Sequence, residues 1–226
     1  MNYSIKGETL PVLVVSLQAG EEVTCESGAM SWMDPTIQMK TEAGGLGKAL
    51  GRMLTKESLF QNRYVATADG EIAFASSFPG SIVAYEVTPS SPIILQKSAF
   101  LASVGDIELS IAFQKKVGSG LFGGEGFIMQ KCTGNGIVFA EIDGCAITYE
   151  LAAGQQKIVD TGYLAVMDAT CQMDVQMVKG VKNVLFGGEG LFNTIVTGPG
   201  KVTLQTMPVS KTATMLYQFM PHPSSK

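Results

Sequence analysis

The chain has 226 residues, of which 46% are hydrophobic and 16% are charged, and it carries a formal net charge of −4. This composition is too apolar for a disordered chain, and the negative charge argues against a protein whose main role is to grip nucleic acid. The sequence contains one histidine, His222. A single histidine rules out most histidine-based acid–base catalysis and most metal sites with histidine ligands. We therefore expect no cofactor and no metal.

The first predicted element is a strand near the N-terminus. An apolar run extends from Leu10 to Leu17, and Glu8 and Pro11 interrupt its start. The run is short for the apolar core of a signal peptide, and no apolar run approaches the ~20 residues of a transmembrane helix. We therefore expect a cytoplasmic chain without a membrane span.

The segment 44–60 departs from the strand-like pattern around it. Its apolar residues recur at helical spacing, and Lys48, Arg52 and Lys56 form a basic stripe at intervals of four. Five basic and two acidic residues between positions 40 and 63 give a local charge of +3. A short basic amphipathic helix can lie on an anionic membrane surface, cover a sheet edge or pack against a neighbouring subunit. These three residues are the candidate contacts for a membrane or a partner.

An internal repeat organises the chain. The hexapeptide LFGGEG occurs at 121–126 and again at 185–190, an offset of 64, and flanking residues match at the same offset. A fainter copy precedes these two, with Leu59-Phe60 in the place of the first two letters. The copies run over about 14–80, 83–144 and 147–208.

Each copy has the pattern of β-strands. Apolar residues such as Leu109, Ile111 and Phe113 alternate with polar or small ones, which predicts strands with one buried face. Turn signals such as Asp69-Gly70 and Gly134-Asn135-Gly136 separate the strands. We predict one all-β domain over residues 1–226, with three copies around a pseudo-threefold axis, because a closed ring leaves no exposed strand edge.

The repeated LFGGEG loops look at first like phosphate-binding loops. They lack the lysine and hydroxyl residue of a P-loop, and they do not open a helix after a strand. Paired glycines between strands more often form a bulge or a left-handed turn. Glu125 and Glu189 recur in these loops, so a symmetry-related carboxylate pair that binds a cation is the alternative, although Arg63 breaks the symmetry in the first copy.

The sequence shows no catalytic constellation. It has no Gly-x-Ser-x-Gly elbow and no Cys-x-x-Cys pair, and His222 lies between two prolines as a tail residue. The four cysteines lie in apolar stretches, where we expect small buried side chains in a reducing compartment. They are Cys25, Cys132, Cys145 and Cys171. We assign no catalytic residue.

The motifs together resemble those of one family. They are SGAMSWM at 27–33, GGLGKALGRML followed by ESLF within 44–60, DGEIAFA at 69–75 and the two LFGGEG loops. This set is similar to the family of the mitochondrial-biogenesis protein named for altered inheritance of mitochondria, which has bacterial members of unknown function. The resemblance covers about residues 1–220. It implies a fold similar to the tryptophan RNA-binding attenuation protein (TRAP), a short double-stranded β-helix with several units intertwined in one chain, and it carries over no catalytic residue.

Three functions follow as hypotheses. The first is a non-enzymatic scaffold or interaction protein that forms homo-oligomers and touches an anionic membrane surface or a protein through 44–60. The second is a small-ligand-binding or enzymatic β-helix protein. The third is RNA binding like the namesake of the fold, which the acidic balance of the chain disfavours.

Overall fold

The computed structural model describes residues 1–40, 61–115, 126–177, 192–217 and 219–220. They are predominantly β-structure, with antiparallel strands in sheets of four, ten and three strands and a single α-helix among the described residues. The strands are β1 (Asn2–Lys6), β2 (Val12–Leu17), β3 (Glu22–Glu26), β4 (Trp32–Met33), β5 (Ile37–Met39), β6 (Gln61–Ala66), β7 (Gly70–Ala75), β8 (Gly80–Val87), β9 (Ile93–Gln96), β10 (Phe100–Lys115), β11 (Phe127–Asp143), β12 (Ala146–Leu151), β13 (Gln156–Asp160), β14 (Leu164–Asp168), β15 (Gln172–Met177), β16 (Phe192–Thr197) and β17 (Gly200–Gln205), and the helix is α1 (Val209–Tyr217).

The same set of strand pairings occurs in each third of the chain. In the first copy, β7 pairs with β2 and β4, and β6 pairs with β3 and β5. In the third copy, β17 pairs with β12 and β14, and β16 pairs with β13 and β15. In the second copy, the single strand β11 takes both roles, since it pairs with β8, β9 and the whole of β10.

Two aspartates explain why the first and third copies break where the second runs on. The carboxylate of Asp34 accepts the backbone N–H of Glu71 at 2.8 Å, and that of Asp168 accepts the N–H of Lys201 at 2.7 Å. Each carboxylate thus ends one strand and holds the start of another. The second copy has Val104 at this point, and Gly105 follows it with a φ of +87°, so β10 bends and continues.

The turn predicted at Gly134-Asn135-Gly136 is wrong, because β11 runs through these residues without reversing. Gly136 pairs with Gly105, and Asn135 pairs with Asp106 on the opposite strand. Gly134 has a φ of +113°. Both strands therefore deform at the same level and stay hydrogen-bonded, so glycines that resemble a turn in the sequence form a paired bend instead.

Neighbouring copies are joined by two equivalent ladders. β10 of the second copy pairs with β3 of the first, and β14 of the third copy pairs with β9 of the second. A ring closed within one chain would need a third ladder, between β4 and β13. Among the described residues no such ladder exists, and β4 and β13 are both sheet edges.

The core lies in three clusters that follow this order of copies. One packs Phe74 of the first copy against Phe139 of the second, and another packs Leu95 of the second copy against Val166 of the third. The remaining cluster joins Met129 of the second copy to Val202 of the third. No cluster of described residues contains both the first copy and the third, so burial links the copies in series.

Candidate functional site

Three hairpin connections carry the residues that the sequence singled out. They join β5 to β6, β10 to β11 and β15 to β16, which are equivalent positions in the three copies. Lys48, Arg52 and Lys56 of the first connection lie outside the described residues, as do Glu125 and Glu189 of the LFGGEG loops. The same holds for the helix predicted over 44–60 and for His222.

The strands that flank the basic segment hold two of its five cations. Lys40 Nζ lies 2.7 Å from Glu22 Oε1, and Arg63 Nη1 lies 3.7 Å from Glu22 Oε2. Backbone pairing of Lys40 with Arg63 extends the β5–β6 ladder up to the start of the segment. Glu22 therefore offsets one of the two positive charges that flank the segment, and the stripe of Lys48, Arg52 and Lys56 lies between them in the sequence.

The corresponding hairpins of the second and third copies touch each other. The ammonium of Lys115 donates a hydrogen bond to the carbonyl of Val175 and lies 5.7 Å from the ring centroid of Phe192. Phe113 and Phe127 meet edge to face beside it, with centroids 6.3 Å apart. Lys115 is thus a structural cation between two copies.

A polar network fills the contact between the second and third copies. Thr203 Oγ1 lies 3.1 Å from the hydroxyl of Tyr85 and 2.9 Å from Thr148 Oγ1. Gln205 Nε2 donates to the carbonyl of Gly162 at 2.8 Å. Burial raises the pKa of the Tyr85 hydroxyl, which keeps it a neutral partner. Among the described residues every buried side-chain nitrogen and oxygen has a hydrogen-bond partner, so this network is complete without a ligand.

Three of the four thiols are buried and unsuited to nucleophilic chemistry. Cys25, Cys132 and Cys171 are buried, Cys145 is exposed, and none forms a disulfide. Burial raises the pKa of Cys25 and of Cys132 to about 12, so both stay protonated at neutral pH. In the part of the chain that the structure describes, no group of three or more His, Cys, Asp or Glu residues is placed to hold a metal ion.

The C-terminal helix α1 was not predicted from the sequence. It begins after Pro208, whose carbonyl accepts the N–H of Lys211 and of Thr212. The carboxylate of Asp143 accepts the N–H of Val209 at 2.9 Å, and Lys211 forms an ion pair with Asp160 at 2.7 Å. The signal was present in the sequence as apolar residues at helical spacing after a proline.

Apolar side chains on the surface are the most distinctive candidate for function. None of the residues of α1 is buried. The two sheet edges β4 and β13 also expose apolar residues, because Trp32 is 55% exposed and Ile158 is 67% exposed. The exposed apolar residues at these three places are Trp32, Met33, Ile158, Val209, Met215, Leu216 and Tyr217. Contiguous apolar surface exposed to solvent is typical of contacts with other molecules, so these three places are candidate contact surfaces. No helix among the described residues is long and apolar enough to cross a membrane.

Known proteins are similar to this chain in sequence and in fold. Residues 3–207 match the family model of mitochondrial biogenesis AIM24. The uncharacterized protein M6_Spy0233 of Streptococcus pyogenes serotype M6 is 27% identical over 224 residues, which cover 95% of this chain and 89% of that protein. The crystal structure of protein SPYM3_0169 from Streptococcus pyogenes superposes with a TM-score of 0.81 at 24% identity, and the match covers 97% of this chain and 99% of that one. That likeness supports the fold alone, whereas the family match spans most of the sequence. The chain therefore belongs to the mitochondrial biogenesis AIM24 family.

Proposed function

We propose that this chain is a non-catalytic scaffold that self-associates and acts through its surface. Its body consists of three intertwined strand repeats of the TRAP-like kind, and the identical pairing scheme in the three copies supports this arrangement. The observation that carries the proposal is the set of apolar side chains exposed on α1 and on the edges β4 and β13. Solvent-exposed strand edges with apolar side chains favour pairing with another chain.

Light scattering tests the self-association. A chain of 23.9 kDa that assembles gives a mass at a multiple of this value, and the mass falls on dilution when the association is reversible. A strict species of about 24 kDa from micromolar to near-millimolar concentration contradicts the scaffold proposal. In that case a bound metabolite in native mass spectrometry supports a ligand-binding protein instead, and retention of RNA on a filter at physiological salt supports RNA binding.

We also propose that the scaffold contacts an anionic membrane surface through 44–60. Support comes from the stripe of Lys48, Arg52 and Lys56, and from the paired strands β5 and β6, which bring both ends of the segment to one end of a hairpin. The test is flotation with vesicles that contain phosphatidylserine. The triple variant K48E/R52E/K56E should lose binding, while a control variant with Lys6, Lys97 and Lys201 changed to Glu should keep it. Equal binding of both variants contradicts the contact.

The cytoplasm is the compartment that we propose for the chain. All four cysteines are free thiols, and a protein with four unpaired cysteines is suited to a reducing environment. Fractionation of cells that express the tagged chain, with and without a salt wash of the membranes, measures the distribution directly. Recovery only in an oxidising compartment contradicts this assignment.

A further inference from the structure

The two sheet edges β4 and β13 are the unpaired halves of an interface that the fold uses twice. Trp32 pairs with Ala73 in the first copy as Ala102 pairs with Phe139 in the second, so β4 is equivalent to the start of β10 and to β14. In the same way β13 is equivalent to β3 and β9. β13 pairs with β16, β3 pairs with β6, and β9 pairs with the first part of β11, and these partners occupy equivalent places in the three copies. β10 pairs on β3 and β14 pairs on β9, whereas in the described residues β4 and β13 lack this partner.

Burial shows the same difference. Trp32 is 55% exposed, whereas its equivalents Ala102 and Val166 are 0% and 1% exposed against the strand of the preceding copy. Met33 is 37% exposed, whereas its equivalent Met167 is 2% exposed. Trp32 and Met33 of β4 are thus exposed at positions whose equivalents are buried, and among the described residues no other copy packs against them. On the other edge Ile158 is 67% exposed.

We propose that β4 of one molecule pairs antiparallel with β13 of a second molecule, head to tail. The proposal rests on the self-association proposed above and names its interface. The occupant is a second copy because the ladders β10–β3 and β14–β9 already show that this strand surface fits the next copy in the series. Since the core clusters join the first copy to the second and the second to the third, the two edges belong to the two terminal copies of the series.

The existing ladders also fix the register. Ala102 lies opposite Cys25 and Val104 lies opposite Val23, and the third copy repeats this register with Val166 opposite Leu95. Carried over to the two edges, the register places Trp32 opposite Val159, Met33 opposite Ile158 and Asp34 opposite Lys157. One-residue slips are excluded, because a slip sends every side chain to the other face of the sheet.

The chemistry of this register is favourable. Met33 and Ile158 form an apolar cross-strand pair, and Asp34 and Lys157 carry opposite charges. In the single chain the ammonium of Lys157 lies 3.8 Å from the centroid of the Tyr149 ring, and Asp34 is exposed. Cross-strand pairs of these types stabilise antiparallel sheets, and like charges at the same place destabilise them. Because the interface joins two different surfaces, it builds a closed ring or an extending filament rather than a symmetric dimer.

Cross-linking between two distinguishable chains tests the register. In a Cys145→Ser background, which removes the exposed thiol, a tagged Met33→Cys chain is mixed with an untagged Ile158→Cys chain and treated with a short bismaleimide. The expected product is a covalent heterodimer of one tagged and one untagged chain. Leu10→Cys replaces Met33→Cys in the control, since Leu10 is 61% exposed and lies outside both edges. Cross-linking no higher than this control overturns the proposal, and so does a double variant M33C/I158C that links only within its own chain.

A charge variant separates this inference from the self-association itself. Ile158→Lys places a cation opposite Met33 and next to Lys157, and its exposed position leaves the fold intact, which far-UV circular dichroism checks. The expected result is a fall of the assembly to the single-chain mass at a concentration where the wild type and Leu10→Lys remain associated. Trp32 fluorescence should shift to longer wavelength in parallel, because the ring returns to water. If the wild type and Ile158→Lys assemble equally, the β4–β13 interface is contradicted and the proposed self-association is retained. If the wild type never assembles, both the interface and the self-association are contradicted.

Discussion

Glu141 fixes the connection between the first copy and the second. Its Oε1 accepts the hydroxyl of Ser76 at 2.7 Å, both the N–H and the hydroxyl of Ser77, and the N–H of Phe78 at 3.2 Å. One carboxylate oxygen therefore organises the whole segment between β7 and β8. Pro79-Gly80 ends this segment in the sequence, and no sequence pattern pointed to an acid that lies 65 residues after Ser76.

Replacing this carboxylate is expected to destabilise the fold. Glu141→Ala leaves the donors of residues 76–78 without their acceptor, so we expect the free energy of unfolding in urea to fall by about 2 kcal/mol. Glu150→Ala serves as the control, since that exposed carboxylate lies on β12, the next strand along the chain, and should change stability by less than about 0.5 kcal/mol. Equal small effects of the two variants would show that water replaces Glu141 at no cost.

Asp143 makes stability depend on pH in an unusual direction. Burial raises the pKa of this carboxyl, the N–H of Val209 opposes the shift, and nearby Glu141 adds to it. The folded state therefore binds the proton more tightly than the unfolded state, and stability falls as pH rises through the window between the two pKa values. The D143N variant keeps an oxygen acceptor for Val209 and carries no charge. We expect its stability relative to wild type to be higher at pH 8 than at pH 4 in urea unfolding, and a pH-independent difference would contradict this assignment.

At the scale of the element, the alternation of side chains predicted that strands form but not how they pair. Val23 and Cys25 are buried at the positions that a period of two requires. In β17 the alternation fails, because Val202, Thr203 and Gln205 are all buried. The pairing of β10 with β3 was out of reach, because alternation identifies a face of a strand and not its neighbour. The candidate membrane or partner contacts Lys48, Arg52 and Lys56 lie outside the described residues. The apolar edges escaped notice because Trp32 and Ile158 look like core residues in the sequence.

The paired bend of β10 and β11 gives a prediction that separates backbone strain from lack of space. Both Gly134 and Gly154 have positive φ, at +113° and +76°. A Cβ on Gly134 would collide with the backbone carbonyl of Asp106, whereas a Cβ on Gly154 meets nothing within 4 Å. We expect Gly154→Ala to cost about 1 kcal/mol of stability and Gly134→Ala to cost more than about 3 kcal/mol, measured by urea unfolding. Equal costs would mean that the bend relaxes to admit the methyl group.

At the scale of the whole molecule, the repeat was visible in the sequence because the copies kept similar motifs at an offset of 64. The two short 3-10 turns Lys97–Ala99 and Thr161–Tyr163 keep this offset in the structure. The order in which the copies contact each other was not visible, because it depends on which strand edges remain open. A closed ring was the expectation from the cost of exposed edges. The described ladders leave β4 and β13 open instead, and a second molecule is the means that we propose to close them.

The shared clusters predict that the three copies unfold together. Trp32 is the single tryptophan of the chain and lies in the first copy, so at a concentration at which the chain is not associated its fluorescence reports on that copy. Val202 is completely buried in the third copy, and Val202→Ala should lower the free energy of unfolding by about 2 kcal/mol through the lost contacts. If the chain is one folding unit, the Trp32 transition should shift by the same amount as the circular dichroism transition, at a fixed concentration at which assembly is constant. Lys201→Ala, an exposed change on the same strand, should leave both transitions in place. If Val202→Ala leaves the Trp32 transition unchanged, the copies are separate folding units. In that case a loss of stability in the third copy does not destabilise the first copy through the second.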